Sequence, residues 1–214
     1  MNVVNVQVQK AKVIALGVAV AVVYGIIHDQ ITVRLCIEYF SLAHPPIFPV
    51  SSPTLLGLCW GIAATSGVGL ILGFLLAQAS QSPGLPPMAI RSLLGPLLVV
   101  ITVTAAASLV AGCTGLSLSR QGIVSLPNLL PNRWVETLSR AQQDRFIAVW
   151  FAHAASYLFG VVGAGGLILR IWFKRGRPRL LPLLPRTGLQ ILRLLVLLAV
   201  FVVILSLRLL RSAE

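Results

Sequence analysis

Residues 55–79 read LLGLCWGIAATSGVGLILGFLLAQA, 25 residues without a charge. At 1.5 Å per residue, a helix of that length reaches roughly 38 Å and crosses the roughly 30 Å hydrocarbon core of a bilayer. In water its apolar surface would need a core larger than this chain can build. In lipid it needs none, because acyl chains solvate it directly.

The rest of the sequence repeats the pattern. Further apolar runs cover about 13–33, 93–116, 146–171 and 189–207, and the chain is 57% hydrophobic with only 10% charged residues. Mean hydropathy is +0.93. A transmembrane barrel would alternate apolar and polar residues along each strand; these runs are continuous. The expectation is a single all-α membrane domain over 1–214, a polytopic bundle of about five spans, four plus a C-terminal apolar helix.

The first run starts after Lys10 and Lys12. Its strictly apolar part, Val13–Ile27, reaches only about 22 Å, so the helix has to continue through His28, Asp29 and Gln30 towards Val33. A signal peptide with Ala19-Val20-Ala21 at its cleavage site is the alternative. Pro45, Pro46, Pro49 and Pro53 exclude regular helix from the second half of the following loop. Its first half, ITVRLCIEYF, suits either extended chain or continuing helix. Residues 81–87 form a turn. In the second large loop, 117–145, Asn132 is placed to cap a helix beginning near Arg133-Trp134, and an interfacial helix leads into the fourth span. The fifth run is interrupted only by Arg193, one turn from its start. It either spans or lies on the bilayer. No internal repeat of the kind common in transporters is visible.

The net charge of +12 comes from basic residues that flank or interrupt apolar runs. That pattern reads as topology and anionic-lipid contact, chiefly at the 170–179 cluster, and not as nucleic-acid binding. With the N-terminus in the cytoplasm, the inner segments hold ten Lys and Arg against seven outside. The expected location is a bacterial inner membrane, with another internal membrane such as the thylakoid as the alternative.

On this topology His28, Asp29, Glu38, His44 and His153 all fall in the outer half, as do the cysteines Cys36, Cys59 and Cys113. Imidazole, carboxylate and thiolate can bind a transition metal or carry protons. The competing structural reading pairs Glu38 with Arg34, four positions earlier, and leaves His28 at the interface. Phe146, Trp150, His153 and Tyr157 share one face of the fourth span, and an ionisable residue there is a functional candidate. Arg34, Tyr39, Trp150 and Tyr157 are possible supporting residues. No HExxH, Walker, GxSxG, GxGxxG or CxxCH motif occurs, and no particular metal or cofactor is indicated.

Two ridges of small residues look structural. Gly57, Gly61, Thr65, Gly69 and Gly73 recur every four residues on the second span. Ala148, Ala152, Ser156, Gly160 and Ala164 do so on the fourth. Such ridges let membrane helices approach closely, and the simplest expectation is that these two meet each other.

The segments GIIHDQITVRLCIEYF (25–40) with HPP (44–46), and AVWFAHAASYLFG (148–160), resemble a group of uncharacterised bacterial multi-pass membrane proteins. That group carries an HDQ…EYF…H segment after its first helix and an AH..SY segment in its last common one. The resemblance covers about a third of the chain and excludes the tail beyond Pro185. It brings no activity with it. It does single out His28, Asp29, Gln30, Glu38, Tyr39, Phe40, His44, His153, Ser156 and Tyr157. Two function classes follow: a non-enzymatic accessory subunit of a larger membrane assembly or homo-oligomer, or a small enzyme or carrier with an outward-facing metal, proton or redox site.

Overall fold

The computed structural model describes residues 3–82, 85–130 and 133–176. The fifth apolar run and the end of the basic cluster lie outside them. The described residues form seven helices in the order α1 (Val3–Leu35), α2 (Ile37–Ser41), α3 (Pro53–Ser80), α4 (Arg91–Arg120), α5 (Leu126–Leu129), α6 (Arg133–Glu136) and α7 (Arg140–Gly176), with no strand among them. Four are long and apolar enough to cross a membrane: Val6–Leu35, Pro53–Ser80, Arg91–Arg120 and Arg140–Arg175. The chain is an integral membrane protein.

Large aliphatic side chains point outward along these helices. On α4, Leu98 is 65% exposed and Leu109 69% exposed. In water this would be unfavourable; facing acyl chains it costs nothing.

The helix ends follow local chemistry. α1 takes in Lys10 and Lys12 and runs without a break through His28, Asp29 and Gln30. At 33 residues it is roughly 50 Å long, so both ends leave the hydrocarbon core. It stops where Cys36 becomes extended, with φ −153° and ψ 97°. Pro53 opens α3, where its missing N–H and fixed φ are no handicap, behind the cap residue Ser52. α4 ends at Arg120, and two residues on, Gly122, with φ of +75°, lets Ile123 N–H return to Leu118 O at 3.0 Å.

The helices associate as two pairs, α1 with α3 and α4 with α7. Glycines set the first pair. A Cβ on Gly61 would lie 2.7 Å from Ile26 Cα, and one on Gly69 2.9 Å from Val18 Cα. The partner helix reciprocates: a Cβ on Gly25 would meet Gly61 O at 2.6 Å, and one on Gly17 would meet Gly73 Cα at 2.6 Å. In the second pair Ser108 Oγ donates to Ala152 O at 3.0 Å, and Gly112 sits over Ala148 and Ala152. The expected pairing of the second-span ridge with the fourth is therefore not what forms. The ridge of Gly57, Gly61, Gly69 and Gly73 packs on α1, which carries its own small ladder of Gly17, Ala21 and Gly25. The α7 ridge turns to α4, where a Cβ on Gly160 would lie 3.8 Å from Thr104 Cγ2.

Lys10 Nζ donates to Gln78 Oε1 at 2.9 Å and Arg175 to Pro86 O at 2.6 Å. The start of α1, the end of α3, the start of α4 and the end of α7 thus share one end of the bundle. Buried apolar residues gather in two clusters. One, around Val13, Leu76, Leu93, Leu97 and Ile168, closes that basic end. The other joins Tyr39 and Phe40 of α2 to Leu126, Val135 and Phe146 and caps the opposite end. Between the clusters a cavity of about 130 Å³ separates the two pairs.

Candidate functional site

Three side chains meet under the α2 cap. α1 supplies His28 and Asp29, and α7 supplies His153. Asp29 and His153 are 5% and 6% exposed, in effect withdrawn from solvent and lipid alike. Asp29 Oδ1 lies 3.2 Å from His153 Nε2. The His28 and His153 rings contact edge to face, with centroids 4.5 Å apart. One donor atom from each of the three lies within 4.8 Å of the others.

The tautomer of His153 follows from its other nitrogen. Nδ1 is 3.0 Å from Val149 O, and a carbonyl only accepts, so Nδ1 carries a proton and donates it. Nε2 in the neutral ring is then a lone pair aimed at a carboxylate oxygen. Two lone pairs at that distance in a low-dielectric setting repel, unless a proton or a metal cation lies between them. His28 belongs to the same cluster, and its buried Nε2 has no hydrogen-bond partner. Leaving such a nitrogen unmatched costs about 1–3 kcal/mol.

Around this centre Tyr24 Oη hydrogen-bonds Ser156 Oγ. Tyr39 and Phe40 lie over the His153 ring at 4.7 and 5.6 Å. Tyr157 stands 6.5 Å from the His153 ring and lines the cavity below. Tyr24 escaped the sequence reading. Its one local signal is the i, i+4 spacing to His28, whose ring it stacks on at 5.8 Å.

The other candidates lie elsewhere. Glu38 accepts from Cys36 Sγ at 3.3 Å and from Gln142 Nε2 at 2.6 Å. Partial burial raises its pKa, but these bonds and its own backbone N–H outweigh that and hold it below the usual carboxylate value. Burial pushes the Cys36 thiol up to about 12, which makes it unreactive. Arg34 does not pair with Glu38: it binds Gln30 O and Oε1, each at 2.6 Å, and Thr54 Oγ1 at 2.9 Å. Trp150 packs on the α2 cap cluster. Asp144 accepts from Ser119 at 2.6 Å and pairs with Arg140 at 3.3 Å, tying α4 to the start of α7. His153 lies thirteen residues into α7, which begins at Arg140. The site is covered by α2, whose Tyr39 and Phe40 lie over the His153 ring, and the polar segment from Arg140 belongs to the same helix as His153.

Comparison with known protein families, curated proteins and solved structures finds no match to this chain. Function has to be argued from the site itself.

His44 belongs to the cap. Its Nδ1 donates to Tyr39 O at 2.8 Å and its ring lies 4.7 Å from Trp60. Burial holds its pKa below the ordinary 6.5, against the opposing pull of that hydrogen bond. A histidine with a depressed folded-state pKa binds fewer protons than the unfolded chain. Its stabilisation is complete above the ordinary value of 6.5 and is lost as pH falls below it. Thermal stability in detergent should decline from about pH 7 to about pH 5, with a shallower slope in His44→Phe. Equal slopes in the two proteins would show that protonation of His44 does not loosen the cap.

Proposed function

We propose that this membrane protein is a metal-dependent enzyme or carrier that binds a divalent first-row transition metal through His28, Asp29 and His153. The observation that carries the reading is the His153 ring. Its Nδ1–H is committed to Val149 O at 3.0 Å, and its Nε2 faces Asp29 Oδ1 at 3.2 Å in one cluster with His28, whose Nε2 is unpartnered. A cation between the three atoms satisfies all of them at once. The Val149 carbonyl then plays the part that outer-shell acceptors play for metal-bound histidines, fixing the tautomer and the ring plane.

The fit is close. With metal–ligand bonds of about 2.1 Å, two ligand atoms cannot stand farther apart than about 4.2 Å. The Asp29–His153 pair meets this already at 3.2 Å, and a small rotation of His28 completes the set. Two imidazoles and one carboxylate with a further position open is the ligand pattern of catalytic rather than structural sites. A metal there supplies a Lewis acid. The chain's own residues exclude water through Tyr39 and Phe40 and hold the ligands on two different helices.

Metal analysis of protein purified in mild detergent tests this. The expected result is about one divalent transition metal per chain in the wild type, falling to background in His28→Ala. That substitution removes no hydrogen bond made by the His28 ring nitrogen in question, so folding should survive. Wild type that stays metal-free after incubation with zinc, iron(II) and manganese would overturn the metal reading and leave a shared proton in the Asp29–His153 pair. Metal-free protein that copurifies with fixed partner subunits would return the accessory-subunit reading.

The same proposal carries an orientation. The Lys and Arg bias favours a cytoplasmic N-terminus in a bacterial inner membrane, which places the site in the outer half. Cysteines introduced at positions 10 and 176 should label from the cytoplasmic side only.

A further inference from the structure

The cavity between the helix pairs has two unlike ends. Tyr24, His28, Asp29, His153, Ser156 and Tyr157 line one; Leu76, Leu97, Leu167 and Ile168 line the other. Along α1 its wall runs from Gly17 to Asp29, about 18 Å at 1.5 Å per residue. Gly17 and Asp29 lie about four residues inside the two limits of the first apolar run, so the cavity crosses the middle of the roughly 30 Å hydrocarbon core, polar at one limit and apolar at the other. It is also narrow. An apolar cavity of about 150 Å³ takes a compact guest the size of benzene. The similar volume here, about 130 Å³, is drawn out along the helices and open on one side, which suits one hydrocarbon chain lying partly outside the slot rather than two chains or a fused ring.

From this we infer that the cavity binds a single-chain amphiphile drawn from the bilayer, its oxygen head group at His28, Asp29 and His153 and its chain running down between the two helix pairs. The head-group end rests on the metal site proposed above; the chain end rests on the cavity alone. The polar-to-apolar gradient and the elongated shape select this class. A water-soluble substrate would leave the leucine-lined end unmatched, and a purely apolar one would leave the open position of a metal held there, or His28 Nε2 where no metal is bound, without a partner. A hydroxyl or carboxyl head satisfies it, either on a bound metal or by direct hydrogen bonding. Such a ligand needs no aqueous route, because the slot is partly open and its surroundings at that depth are lipid.

Two photoactivatable hexadecanols test the inference on purified full-length protein. One carries a diazirine near the chain end, the other beside the hydroxyl. The chain-end probe should label Leu76, Leu97 and Ile168 about tenfold more than the outward-facing Leu98 and Leu109 of α4, a preference of roughly 1.4 kcal/mol. The head probe should label Tyr24 and Tyr157. Unlabelled hexadecanol should compete at the cavity residues and not at the outward ones. Ala164→Phe, which fills the slot roughly 16 Å along α7 from His153, should abolish labelling at the far end and leave bound metal unchanged. Equal labelling of cavity and outward residues, or a reversed order of the two probes, overturns the inference. Competition in the wild type decides the matter even if the phenylalanine variant does not fold. The two proposals fail separately: focused labelling with no metal in the wild type refutes the metal alone, and bound metal with unfocused labelling refutes the amphiphile alone.

Discussion

Gly61→Leu should be the most damaging single substitution in the membrane helices. The first added atom would already stand 2.7 Å from Ile26 Cα, 2.8 Å from Ile26 N and 2.9 Å from Gly25 C. All three are backbone atoms of a continuous helix, so no rotamer change relieves the overlap. The whole of α1 would have to back away from α3. That would open contacts at Gly57, Gly69 and Gly73 as well, since all lie on the same ridge. Overpacking a tight site costs about 1–3 kcal/mol when side chains can adjust; here they cannot, and about 3 kcal/mol or more is expected. Gly67→Leu is the control. It sits on the same helix, exposed, and a Cβ there meets nothing within 4 Å. Replacing glycine in an exposed helix interior should even stabilise it, by up to about 1 kcal/mol. Thermal unfolding in detergent compares the two. If both variants melt together with the wild type, the α1–α3 contact is not what holds the bundle.

Asp29→Asn should separate metal binding from folding. In the wild type the carboxylate faces the His153 Nε2 lone pair at 3.2 Å, an arrangement that needs a cation or a proton between the atoms. An amide of the same shape can donate an N–H to that lone pair directly. The variant should therefore keep its fold, with a melting temperature close to that of the wild type. It should also lose metal. An amide is a poor ligand for a transition ion, and losing even an outer-shell partner of a metal site costs roughly 10–100-fold in affinity; loss of a direct ligand should exceed that. Competition with a chelator of known affinity gives the measurement. Unchanged metal affinity would remove Asp29 from the ligand set. Unfolding of the variant would mean that the negative charge itself holds the two helices together, as part of an ion pair with a protonated His153.

The spans were legible because each is settled by consecutive residues. An uncharged stretch such as 55–79 has one low-energy state in lipid, a helix with every backbone group bonded internally. The helix ends were legible where a residue acts on its own neighbours. Pro53 at the first turn of α3 is one such case, and the prolines of 45–49 outside any helix are another. The start of α7 was not. The sequence suggests a lead-in helix running from about Arg133 into the fourth span, whereas α6 ends at Glu136 and α7 starts at Arg140. There Asp144 accepts from Ser119 of α4, a contact 25 residues away in the chain.

Sequence alone determined that this is a membrane-spanning helical protein, that α3 and α7 carry small-residue faces, and that His28, Asp29 and His153 are ionisable groups at membrane depth needing partners. Tertiary structure decided which partners they have. A ridge of glycines states that something approaches closely without saying what, and α1 carries a ladder at Gly17, Ala21 and Gly25 that fits the α3 ridge as well as α7 could. The pairing of α1 with α3 and of α4 with α7 then turns Asp29 onto His153 and leaves the long cavity between the pairs. The straight run of α1 to Leu35 carries Arg34 outward to Thr54, and the reversal into α2 places Glu38 and His44 in the cap. Local energetics cannot choose among such arrangements, because backbone hydrogen bonding within each helix is the same in all of them. The choice rests on interhelical packing and on buried polar groups finding one another across more than a hundred residues of chain.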